Sequence, residues 1–164
     1  MPYETWEREG YIETTPGAAT NYKYVVRSLA DIAARYDVRA IAFDRWRIED
    51  LRREMDAEGI EIPMVEFIQG FKSFSPAIDE LERLVADGRL VHDGNPVLNW
   101  NIGNTVIETD AAGNRKPTKV RSREKIDGLV ALVMALGIAK RCAGDGDVQL
   151  IPPWEDPDAV VRIL

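Results

Sequence analysis

Hydrophobic positions along this chain change period several times, and each change predicts an element. Tyr22, Val25, Val26, Leu29, Ile32 and Ala33 recur at helical spacing, which predicts a helix over Asn21–Tyr36 with one apolar stripe. Val38–Phe43 is apolar on both faces apart from Arg39, the pattern of a buried strand in a mostly parallel sheet. Ile48–Glu58 returns to helical spacing and closes at Gly59 as a C-cap. Glu61–Ile68 reads as a strand, with Pro63 held to its beginning or to an edge. Ser73–Gly88 is the clearest helix, with Ser75 as N-cap, Pro76 as first helical residue and Gly88 as the stop.

The remaining segments are shorter. Tyr11–Thr14 is a strand candidate stopped by Thr15-Pro16-Gly17. Leu90–His92 reads as extended and Pro96–Asn101 as one or two helical turns. Val106–Thr109 and Thr118–Val120 read as the arms of a hairpin with Gly113-Asn114 near its tip. Glu124–Arg141 is a long final helix, and residues 144–164 form a turn-rich tail. Strand and helix in alternation predict an α/β layer fold with a central sheet flanked by helices.

Two acids interrupt this pattern. From Gly128 through Ala139 no side chain is charged or polar, yet Asp127 stands directly ahead of the run. A helix apolar all round is expected to be buried, so its leading carboxylate should point into the protein or a cleft. There the helix dipole supplies only about 0.3–1 kcal/mol, far less than an unpaired buried carboxylate costs. A divalent cation, or a nearby Arg or Lys, would resolve the conflict. Asp44 ends the strand Val38–Phe43, where ligands bind in parallel α/β sheets. It is equally suited to capping the helix that follows.

Composition narrows the chemistry. The 164 residues carry a formal net charge of −7, which argues against nucleic-acid binding by bulk attraction but not against a nuclease whose metal ions supply positive charge. Positive charge is clustered in Asp44–Met55 and Arg115–Lys125, runs that also suit a solvated helix face and a solvated loop. One histidine and one cysteine exclude His-rich and Cys-rich zinc sites, and no phosphate loop or nucleophile elbow occurs. No secretory signal or bilayer-length apolar run is present, so a soluble protein of a reducing compartment is expected. Two carboxylates from separate elements suit Mg²⁺ or Mn²⁺, and a pair of such ions suits phosphodiester hydrolysis. A two-metal site needs at least three acids, and composition names no third.

Four stretches carry a family resemblance: Trp6–Gly17, Ala40–Trp46, Leu90–Asn104 and Lys125–Leu136. Together they resemble, in the same order, the C-terminal nuclease domain of tailed-bacteriophage large terminase subunits. The resemblance implies a ribonuclease H-like mixed sheet and a Mg²⁺- or Mn²⁺-dependent endonuclease that cuts concatemeric viral DNA during packaging. It implies Asp44 and Asp127 as metal-binding, catalytic acids, with His92, Asn95, Trp100 and Asn101 near the site. Arg45, Arg47, Lys119 and Arg121 are the candidates for contact with DNA. The implied partners are double-stranded DNA, the portal protein and the small terminase subunit, in the host bacterial cytoplasm. On this resemblance residues 1–143 form a partial nuclease domain, N-terminally truncated, without the packaging ATPase or the strand bearing another metal-binding Asp. Such a fragment is expected to be weakly active or inactive and to self-associate through an uncovered edge. A non-catalytic module that docks portal or small-subunit partners, its acids serving only as helix caps, is the competing expectation.

Overall fold

Local sequence rules account for most element boundaries. A computed structural model describes residues 2–46, 48–142 and 161–163. Its elements are α1 (Tyr3–Arg8), α2 (Tyr22–Arg35), β1 (Ile41–Phe43), α3 (Ile48–Glu58), β2 (Met64–Glu66), α4 (Phe71–Ala86), β3 (Leu90–His92), α5 (Pro96–Asn104), β4 (Ile107–Thr109), β5 (Arg115–Pro117), α6 (Asp127–Cys142) and β6 (Val161–Ile163). They fall into two units, Met1–Phe67 and Ile68–Leu164.

In the first unit, the Asn21 side chain accepts the Lys23 N–H and so caps α2. Helix α3 closes as expected at Gly59, whose φ of +66° allows the Ile60 N–H to reach the Met55 carbonyl. Strands β1 and β2 pair in parallel, Ile41 with Met64 and Phe43 with Glu66, and the Phe67 N–H extends the ladder to the Phe43 carbonyl. Val26, Met55 and Ile62 form the core, with Leu29, Ile41, Leu51 and Ile60 against them. The strand expected at Tyr11–Thr14 does not form. Instead Tyr3–Arg8 is helical, and the Tyr11 and Ile12 N–H groups fold back onto the Trp6 carbonyl.

The second unit is built around α4 and α6, which pack together. Leu84, Phe74 and Ile78 of α4 are buried, as are Leu129, Val133, Leu136 and Ile138 of α6. Helix α4 starts earlier than expected: Gly70, not Ser75, holds the N-cap position, and Pro76 lies inside the helix. The Ser75–Pro76 pair mimics a helix start, but Phe71 and Phe74 extend the apolar face upstream, and Phe74 is only 2% exposed. Within α4, buried Glu80 takes a two-point hydrogen bond from Arg83. Strands β4 and β5 form the expected hairpin, although its second arm is Arg115–Pro117 rather than Thr118–Val120. Strand β6 pairs in parallel with β3, so the pairings are of both senses in three two-stranded ladders. The intervening tail, 144–160, lies outside the described residues.

Candidate functional site

Each acid is presented by the end of a regular element. Asp44 directly follows β1 and is half-buried. Its Oδ1 accepts the Trp46 N–H at 3.4 Å, and Trp46 itself is 83% exposed. The capping alternative fails on position, because α3 begins only at Ile48 and an N-cap immediately precedes its helix. Arg45 is exposed, and Arg47 lies outside the described residues.

Asp127 is the first residue of α6, where the helix dipole favours an anion. It is not turned into the protein as the sequence suggested. Its side chain is 61% exposed, and Oδ1 accepts a hydrogen bond from Lys119 Nζ at 2.6 Å. The reason lies in the residues behind it. Ala131, Ala135 and Ala139 are exposed, while the larger Leu129, Val130, Val133 and Met134 are buried. Alanines count as apolar but gain little by burial, so an uninterrupted apolar run still leaves one face of α6 open.

Lys119 sits on the loop between β5 and α6, which is anchored at both ends. On the hairpin side, Arg115 bonds Glu82 at 2.7 Å and Asp79 at 2.5 Å on α4. The Arg115 guanidinium holds the Glu82 carboxyl below the usual carboxylate range, and the two carboxylates raise Arg115 in turn. Within the loop, Ser122 Oγ donates to the Thr118 carbonyl and accepts the Val106 N–H. Before the helix, Ile126 is 1% exposed and pins the chain. Lys119, Arg123, Glu124, Lys125 and Asp127 line a cleft of about 290 Å³ at the head of α6. Arg121 is exposed beside Val120, which is 96% exposed.

Within the segment His92–Asn104, helix α5 packs against α6. His92 Nδ1 accepts the Gly94 N–H at 3.1 Å, and Asn95 Oδ1 caps α5 through the Val97 and Leu98 N–H groups. Trp100 is half-buried. Asn101 is 4% exposed, and its Oδ1 accepts the Gly128 N–H at 2.8 Å while its Nδ2 donates to the Val97 carbonyl. A side chain from α5 thus caps the first turn of α6. The sequence hints at such a remote cap, because the residue before Asp127 is Ile126, which cannot cap.

The Asp127 carboxylate, which water can reach, suits a hard divalent cation in donor type. Among the described residues, however, no three His, Cys, Asp or Glu side chains gather as a metal cage.

Against known proteins, the family described as "Terminase large subunit, endonuclease domain" matches residues 1–142. The chain belongs to the terminase endonuclease-domain family. A similar curated relative is the terminase large subunit of Enterobacteria phage HK97, 48% identical over 138 residues, covering 84% of this chain and 27% of that protein. The crystal structure of the HK97 large terminase superposes with a TM-score of 0.79 at 47% identity, over 84% of this chain and 29% of that one. The large terminase nuclease of thermophilic phage G20c, solved with bound magnesium, superposes with a TM-score of 0.54 at 18% identity, over 71% of this chain and 61% of that one. The fold is therefore the ribonuclease H-like α/β fold of terminase nucleases. This terminase nuclease-family chain spans under a third of the length of its HK97 relative. Among its described residues, no helix is long and apolar enough to cross a membrane.

Proposed function

We propose that this chain is the DNA-cutting part of a phage packaging terminase, a Mg²⁺- or Mn²⁺-dependent endonuclease that hydrolyses double-stranded concatemeric DNA. Asp44 and Asp127 are the metal-holding acids in this reading. Its chief support is the setting of Asp127, a water-accessible carboxylate fixed at the head of a packed helix and bordered by a cationic loop. Bound there, a divalent ion would supply the positive charge that phosphodiester hydrolysis needs at the attacking and leaving oxygens. The chain's own contribution is placement. Helix α6 and the end of β1 present the acids, while Arg45, Arg47, Lys119 and Arg121 neutralise backbone phosphates. Portal protein and small terminase subunit are the partners this role calls for, and the host bacterial cytoplasm is where it would act.

A second reading has one observation in its favour. The Lys119–Asp127 pair satisfies the carboxylate without any metal, as a non-catalytic docking module would require. Titration with Mn²⁺, followed by melting temperature, separates the two. The endonuclease reading expects Mn²⁺ to raise the melting temperature, and expects Asp44→Asn and Asp127→Asn each to reduce that rise. Variants that respond to Mn²⁺ as the parent chain does would remove both acids from the metal site and favour the docking module.

A further inference from the structure

Helix α6 begins with a deficit. Its first N–H groups have no partner within the helix, and the preceding residue, Ile126, has no side chain that could accept from them. The Val130 N–H is the one that closes the first turn, onto the Ile126 carbonyl at 3.0 Å. The Gly128 N–H is met by Asn101 Oδ1 instead.

Several features aim Asn101 at this task. It is buried, where an asparagine without partners would be costly, and inside a helix, where asparagine is a poor former. Its amide is oriented by the Nδ2 bond to the Val97 carbonyl, which turns Oδ1 toward α6. The approach does not depend on the glycine, since a Cβ at Gly128 would stand 3.4 Å from Asn101 Oδ1, an ordinary contact. Thr105 Oγ1 donates to the Asn101 backbone carbonyl, a bond that does not involve the Asn101 side chain.

We propose that Asn101 is a positioning residue for the Asp127 carboxylate. The inference rests on the reading that Asp127 holds a metal ion. By bonding the peptide N–H immediately after Asp127, Asn101 sets the orientation of the first turn and hence the direction in which the carboxylate leaves it. Without that bond the first turn frays, and the carboxylate samples positions that do not suit the ion. Groups that orient metal ligands typically contribute about 10- to 100-fold in affinity.

The test compares Asn101→Leu, which keeps the branched outline of the side chain and deletes the acceptor, with Thr105→Val, which removes a hydrogen bond at the end of the same helix and leaves the Asn101–Gly128 bond in place. Two quantities are read: hydrogen exchange of the Gly128 amide without metal, and the Mn²⁺ midpoint at a temperature where every variant is folded. Asn101→Leu is expected to speed Gly128 exchange and raise the Mn²⁺ midpoint by about 10-fold. Thr105→Val is expected to change neither, although both variants lower the melting temperature. Unchanged Gly128 exchange in Asn101→Leu overturns the proposal, as does an equal midpoint shift in Thr105→Val. So does a midpoint that depends on Asp127 but not on Asn101. If Asp127→Asn leaves the midpoint at its parent value, the metal reading itself fails and the proposal fails with it.

Discussion

The ion pair inside α4 can be broken from either side, and the two routes should differ sharply. Glu80 is the buried partner, its side chain 6% exposed, whereas Arg83 is 40% exposed. Arg83→Met keeps much of the aliphatic stem but leaves the Glu80 carboxylate buried without its partner. Breaking a fully buried pair this way costs about 3–5 kcal/mol. Solvent at the Arg83 end screens the charge, which brings the expected loss to roughly 2–3 kcal/mol. For a chain of this size that lowers the melting temperature by about 4–12 °C. Glu80→Gln breaks the same pair but leaves no buried charge, so it should cost only about 1 kcal/mol. Arg83 also bonds Asp87 at 2.9 Å. That exposed contact is worth about 0.5 kcal/mol or less, and Asp87→Asn measures it separately. Thermal melts and urea unfolding of the three variants are the assay. Equal losses in Arg83→Met and Glu80→Gln would refute the reasoning, because the asymmetry comes entirely from the stranded carboxylate. The site is affected indirectly, since α6 packs on α4.

Two further outcomes are expected. Gly128→Ala places a Cβ 3.4 Å from Asn101 Oδ1 and 3.8 Å from Leu98 Cδ1, ordinary contact distances. It should therefore be tolerated or gain up to about 1 kcal/mol from helix propensity, and a large drop in melting temperature would show a tighter approach of α5 and α6. At the hairpin turn, Asp110 accepts hydrogen bonds from the Asn114 side chain and from the Asn114 and Ala112 N–H groups. These bonds, that from the Asn114 side chain foremost, hold its carboxyl below the ordinary aspartate value. A lowered folded value means that the stabilisation is complete above the unfolded pKa and disappears as pH falls through the folded one. The stability gap between the parent chain and Asp110→Ala should thus be level from neutrality to about pH 5 and close below about pH 4. A gap that persists undiminished to about pH 2 would contradict this sign.

How much of the fold was legible depends on whether local chemistry or remote packing decides each boundary. The bounds Ile48–Glu58 are legible in the sequence, because an apolar stripe and a following glycine act within the segment. Helix α2 was bounded as well, with Asn21 capping as its residue type suggests. Helix α4 departs from the sequence expectation at its start because Ser75–Pro76 carries local signs of an N-terminus, whereas Phe71 and Phe74 draw the chain into the helix earlier. The hairpin is legible but its second arm begins earlier than the sequence predicts, since Thr118 and Val120 have the better strand propensity. Helix α1 is not legible because Tyr3–Arg8 is too short for a period to show in the sequence.

The candidate site shows the same division. The sequence posed the right question about Asp127, what holds a carboxylate against an apolar helix, and offered a metal ion or a basic side chain as answers. Lys119 is one answer, at 2.6 Å, from a loop position that no periodicity could have singled out. It does not displace the other. With the two side chains 59% and 61% exposed, the pair contributes roughly 0–1 kcal/mol, too little to hold a carboxylate against a competing divalent cation. What the sequence does not identify is the residue that restrains the backbone beneath Asp127. That restraint comes from Asn101, on a different helix, through a contact that exists only once α5 and α6 are packed. An exchangeable counterion on the carboxylate and a fixed peptide below it are separable features. The first allows the partner of Asp127 to change, and the second keeps the acid in place when it does.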